Sequence, residues 1–133
     1  MSNDLSPAKL IDNIKQKFQD AILLIDKGRF ANGIYLLGYC NELALKYSVA
    51  IYLDWPDYKT SGDFRHLKSH DLDYLLEFTG RHAAIRRLAG WSVVSNWSEA
   101  KRYTDPSSAR DSEAADMILA TKQVVEALCP ISL

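Results

Sequence analysis

Cysteine, proline and glycine are scarce in this sequence of 133 residues, which contains two, four and six of them. Two cysteines, Cys40 and Cys129, are too few for a disulfide scaffold and lack CxxC spacing, so we expect two buried thiols in a reducing compartment. No apolar run reaches the roughly 20 residues that a membrane-spanning helix needs. The opening Met-Ser-Asn-Asp lacks the features of a signal peptide, which predicts a cytoplasmic protein without membrane contact.

An excess of one charge is also missing, because 16 basic and 17 acidic residues leave a net charge of -1. This balance argues against a protein that coats nucleic acid through its overall charge, although a local basic patch stays open. The motifs GxGxxG, GxxxxGK[ST] and GxSxG do not occur, so we expect no bound cofactor and no hydrolase elbow. Hydrophobic content of 47% is typical of a folded protein and predicts a single domain over residues 1–133.

The sequence does contain apolar residues at helical spacing, and no alternation long enough for a strand. The first helix should begin at Ser6-Pro7, with serine as the N-cap, and end at Gly28. The second helix should run from about Arg29 to Leu53. It has two apolar stripes, which predicts a central helix packed on two sides.

A polar connection over residues 54–69 is predicted to be irregular. Ser69 or Asp71 should cap a third helix, which breaks at Gly80 and continues in further segments over residues 81–101. Asp105 or Ser108 should cap a last helix that Pro130 ends. We therefore predict an all-α fold, an up-and-down antiparallel bundle of four to five helices.

Three segments carry a resemblance to a known family. They are Asn-Glu-Leu-Ala-Leu-Lys at residues 41–46, Ser-His-Asp-Leu followed by Leu-Leu at residues 69–76, and Arg-Tyr-Thr-Asp-Pro at residues 102–106. Their order and spacing resemble those of the HEPN domain (higher eukaryotes and prokaryotes nucleotide-binding), over most of the chain from about residue 6 to residue 128.

The resemblance implies a helical bundle that dimerises through helix faces and is often paired with a nucleotidyltransferase in a toxin–antitoxin system. It also implies a metal-independent ribonuclease in those members that carry an Arg-x(4–6)-His motif near the final helices. No histidine follows His82 here, so that position of the motif is empty. Arg65 and His70 have the bare spacing, but they precede the third helix.

His70 is the most informative titratable residue, because an imidazole serves as a general base near neutral pH. Together with Arg65 it would form a divergent site for RNA cleavage. The alternative is a structural imidazole that binds a backbone or carboxylate group at the helix start. His66 and His70 lie four residues apart, but no third ligand follows, so we predict no metal site.

Glu42 and Lys46 have the favourable i, i+4 order of a helical ion pair. In a second interpretation Glu42 meets Arg102 inside the bundle, because a desolvated carboxylate needs a partner and arginine supplies two hydrogen bonds. Tyr103 would then pack its ring inward beside Arg102. Both interpretations give these residues a structural role.

A basic stretch lies between residues 80 and 103, with five basic residues against the single acidic Glu99. Two tryptophans, Trp91 and Trp97, are interleaved with it. Such a face could hold a nucleotide or a single strand through charge and stacking. The alternative is a solvated face above two core tryptophans. The residues predicted to bind ligand are Arg81, Arg86, Arg87, Trp91 and Lys101.

The sequence therefore favours a non-catalytic HEPN-like module that forms a homodimer and binds a protein partner, such as a nucleotidyltransferase, or nucleic acid. An exposed apolar stripe on the first or last helix is the expected dimer surface. Two alternatives stay open. One is a divergent ribonuclease that uses Arg65 and His70, and the other is a small nucleotide-binding protein that uses the basic stretch.

Overall fold

The protein is built from helices. A computed structural model describes residues 5–98, 107 and 109–133. Within these residues all regular secondary structure is helical and no strand occurs, which confirms the predicted all-α class. The helices are α1 (Pro7–Asp26), α2 (Phe30–Tyr52), a 3₁₀ helix (Gly62–Leu67), α3 (Leu72–Leu76), α4 (His82–Arg86), α5 (Ala89–Val94) and α6 (Asp111–Leu128).

Helix α1 begins where the sequence predicts. The Ser6 side chain accepts a hydrogen bond from the backbone N–H of Lys9 at 3.3 Å, and Pro7 occupies the first helical position. Both features satisfy or remove backbone donors that a helix start leaves without partners. Gly28 follows the helix at a positive φ of 77°, a conformation that glycine adopts without steric cost.

Helix α2 is the central element. It packs against both α1 and α6, and buried residues lie on more than one side of it. Between α2 and α6, Asn41 donates a hydrogen bond to the Thr121 hydroxyl at 3.0 Å. Gly38 lies directly beneath the Trp97 ring, where a Cβ atom would overlap the indole. This confirms the prediction that Gly38 is a point of close packing.

The connection after α2 is more ordered than predicted. It contains the 3₁₀ helix, and Tyr58 and Leu67 are both buried in the main core. The Tyr58 hydroxyl donates a hydrogen bond to the Leu67 carbonyl at 2.6 Å. The predicted irregular stretch is confirmed for residues 54–61 and 68–69, whereas residues 62–67 form the 3₁₀ helix, and two buried side chains fix the connection against the bundle.

Helices α5 and α6 approach closely at Gly90, whose backbone N–H donates to Gln123 Oε1 at 2.6 Å. Helix α6 begins at Asp111, and the Glu113 carboxylate accepts a hydrogen bond from the backbone N–H of Arg110 at 3.3 Å. The predicted caps, residues 105 and 108, lie outside the described residues. Among the described residues, no helix has the length and apolar character needed to cross a bilayer.

Candidate functional site

A cluster of three ionisable side chains lies where α2 meets the start of α3. Glu42 Oε2 accepts a hydrogen bond from Lys46 Nζ at 3.0 Å, and Glu42 Oε1 lies 2.9 Å from His70 Nδ1. The Glu42 side chain is only 2% exposed, whereas that of His70 is 43% exposed. A carboxylate taken out of water is costly unless it is paired, and both of its oxygens have partners here.

Local structure places each member of this cluster. Glu42 and Lys46 are one helical turn apart on α2, so their side chains share a face. His70 comes from the residues that lead into α3. There the Asp71 carboxylate caps the helix by accepting from Tyr74 N at 3.1 Å, and Ser69 Oγ accepts from Asp71 N at 3.0 Å. These two hydrogen bonds hold the backbone on either side of His70.

Aromatic rings surround the cluster. The Tyr39 and His70 rings meet edge to face, with centroids 6.2 Å apart. Lys46 Nζ lies 5.5 Å from the centre of the Tyr58 ring. Burial, with the negative charge of Glu42 as a smaller cause, raises the pKa of Tyr58 above its usual range, so its hydroxyl stays protonated as a donor. The cluster therefore lies in an environment that excludes water from its inner side.

The outer side of His70 borders a cavity of about 480 Å³. Asp71, Ser95, Trp97 and Ser98 are among the residues that line it. A carboxylate at Nδ1 orients an imidazole and favours the tautomer with its proton on that nitrogen. In chemical terms the arrangement suits either proton transfer at His70 or a purely structural contact between α2 and α3.

Arg65, the second residue of the predicted RNA-cleaving pair, lies in the 3₁₀ helix and is exposed. Within the described residues it has no hydrogen bond or ion pair to His70. His66 instead packs its ring against Tyr74 and Phe78, with centroids 6.5 Å and 5.6 Å away.

The predicted partner of Glu42, Arg102, lies outside the described residues, as do Tyr103 and Lys101. The described partners of Glu42 are Lys46 and His70. Of the two predicted interpretations, the i, i+4 contact with Lys46 is present. No group of three or more histidine, cysteine, aspartate or glutamate side chains with the geometry of a metal site occurs in the part of the chain that the structure describes.

The basic stretch differs from the predicted binding face. Arg81, Arg86 and Arg87 are exposed, but Arg86 pairs with Glu77, and this hydrogen bond lowers the pKa of the Glu77 carboxyl. Trp91 and Trp97 are core residues, only 6% and 5% exposed. Their rings are therefore not displayed for stacking, which corrects the expectation that Trp91 lies on a ligand-binding face.

Sequence reasoning missed Tyr58 and Tyr39. Tyr58 stands in a stretch that reads as polar, and only its position between Trp55 and Phe64 hints at an aromatic cluster. The Trp55 ring packs edge to face on Phe64 with centroids 4.8 Å apart, and on Tyr58 at 6.3 Å. Tyr39 lies on α2, and helical spacing alone gives no sign that its ring contacts His70.

No family model, curated protein or solved structure matches this chain. The resemblance to the HEPN domain is therefore carried by the three motifs and stays a prediction.

Proposed function

We propose that this chain is a non-catalytic helical binding module of HEPN type, an up-and-down antiparallel bundle that forms a homodimer and acts by binding a macromolecular partner. The observation that carries the proposal is an apolar groove on α1, which we call the α1 groove. It is a cavity of about 660 Å³ with four apolar and three polar lining residues, which are Phe18, Ile22, Leu23, Leu133, Lys15, Gln19 and Ser132.

Leu23 is the feature of this groove that points to association. Its side chain belongs to the last third of α1 and is 63% exposed, although leucine is usually buried in a folded chain. A second copy related by a two-fold axis would bring the same helix face against it, so each Leu23 would fill part of the other groove.

The buried charges support a non-catalytic role. Lys46 and His70 both contact Glu42, so the cluster joins α2 to the residues before α3. We interpret these contacts as a structural connection within the domain.

The dimer is tested by light scattering after size exclusion at micromolar concentration. The wild-type chain should have twice the 15.0 kDa mass of the monomer. Leu23→Asp should elute as a monomer, because a buried charge in the interface would be unpaired. Leu119→Asp is the matched control, since Leu119 is 69% exposed but lies on α6. A wild-type monomer, or dissociation by Leu119→Asp alone, would contradict this interface.

A second candidate function is RNA cleavage, in which His70, oriented by its contact with Glu42, would transfer the proton. A buried carboxylate that orients an imidazole is a common arrangement in acid–base catalysis. Cleavage of a structured RNA should then fall at least 100-fold in His70→Gln. Equal cleavage by the wild type and by His70→Gln would eliminate this function.

A further inference from the structure

A trough runs between α5 and α6 on a face of the molecule formed by different residues from those of the α1 groove. Two cavities of about 370 and 360 Å³ adjoin there and share Val93 and Asp116. Their lining along α6 extends from Glu113 to Gln123, which at the rise of a helix is about 15 Å. We call this surface the α5–α6 trough. Its length matches about three turns of a helix laid alongside it.

The trough has an apolar floor and an acidic rim. Ile34, Trp97 and Met117 line its deeper part. Val93 and Leu119 are 36% and 69% exposed, so two large apolar side chains border it at the surface. Glu113 and Asp116 line it with carboxylates, and no lysine or arginine is among its described lining residues.

The charges of the trough discriminate between occupants. A second copy docked here about a two-fold axis would place carboxylates near the same carboxylates of its partner, which is repulsive. Nucleic acid is disfavoured for the same reason, since its phosphates carry negative charge. A helix with apolar anchors flanked by lysine or arginine complements both the floor and the rim.

We propose that the α5–α6 trough binds a cationic amphipathic helix of a protein partner. Apolar side chains spaced one or two turns apart on that helix would enter the two cavities. Its lysine or arginine side chains would pair with Asp116, which forms no ion pair within the described residues. The proposal rests on the proposed binding function and specifies the chemistry of the partner.

The experiment measures fluorescence anisotropy of two labelled 18-residue peptides of identical helical spacing, one of leucine and lysine and one of leucine and glutamate. The wild-type chain should bind the lysine peptide about tenfold more tightly than the glutamate peptide. Asp116→Lys should remove or reverse this preference. Asp20→Lys is the matched control, because it makes the same charge change at an exposed position of α1 and should keep the preference.

Three results would overturn the proposal. They are absence of lysine-peptide binding, equal weakening by Asp116→Lys and Asp20→Lys, and displacement of the peptide by a 12-nucleotide single-stranded RNA. Helical circular dichroism identifies any variant that fails to fold, and Asp116→Asn then replaces Asp116→Lys. Light scattering of the same samples separates the two proposals. A dimer that binds no peptide removes the trough as a docking site and leaves the dimer standing.

Discussion

Glu42 belongs to the candidate site and is also one of the buried residues on which the stability of the domain depends. Its carboxylate is buried and has Lys46 and His70 as described partners, and Lys46 is itself largely buried. Removal of one member of a buried pair is costly because the other charge is left in a poor solvent. Replacement of both members by apolar side chains of similar size is much less costly.

We predict that Glu42→Gln lowers the free energy of unfolding by about 3 kcal/mol. The double variant Glu42→Met with Lys46→Met should recover at least half of that loss. Urea denaturation measures both values, and Asp12→Asn on the exposed surface of α1 serves as the control. A loss below about 0.5 kcal/mol in Glu42→Gln, the range of ordinary surface changes, would show that the pair contributes little.

The two thiols give a second prediction at this scale. Cys40 and Cys129 are free and buried, and burial raises the pKa of each thiol to about 12. The thiolate is the reactive form, so both side chains should resist a maleimide reagent at pH 7 in the folded protein. Mass spectrometry should show no adduct under native conditions and two in urea. Rapid native labelling of either cysteine would contradict the buried position.

At the scale of elements, the close contact between Gly38 of α2 and the Trp97 ring gives the most sensitive test of packing. An alanine at position 38 gains about 1 kcal/mol of helix propensity but forces the indole to move. We predict that Gly38→Ala lowers the free energy of unfolding by about 1–2 kcal/mol. Gly33→Ala is the control. Its Cβ would overlap mainly the flexible Ile25 side chain, so a smaller effect is expected in thermal unfolding. An equal or larger loss in Gly33→Ala would contradict this packing.

The long helices could be predicted because their signals are local. Ser6 and Pro7 define the start of α1, and the two apolar stripes of α2 indicate its central position. The connection after α2 could not be predicted in the same way. Its order depends on burial of Tyr58 and Leu67 against distant helices, and nothing in the adjacent sequence shows that burial.

For the same reason, only one of the two contacts of the site could be predicted from the sequence. Glu42 and Lys46 are four residues apart, so helical geometry alone predicts their contact. Glu42 and His70 are 28 residues apart and meet only because the intervening chain folds back on α2. The spacing of Arg65 and His70 suggests a pair, but the sequence spacing gives no sign that His70 meets Glu42 instead.

At the scale of the whole molecule, two exposed apolar surfaces differ in chemistry. The α1 groove combines Leu23 with Leu133, whereas the α5–α6 trough carries Glu113 and Asp116. We propose self-association for the groove and a cationic partner for the trough. This division would allow one dimer to present two equivalent docking surfaces.

The central claim is the dimer across α1, and chemical cross-linking at Leu23 tests it most directly. Because the native thiols are buried, Leu23→Cys introduces a single reactive thiol on the proposed interface. A short bis-maleimide should convert this variant to a species of twice 15.0 kDa on a denaturing gel. Leu119→Cys, equally exposed on α6, should remain monomeric. Cross-linking of Leu119→Cys with none at Leu23→Cys would contradict the account.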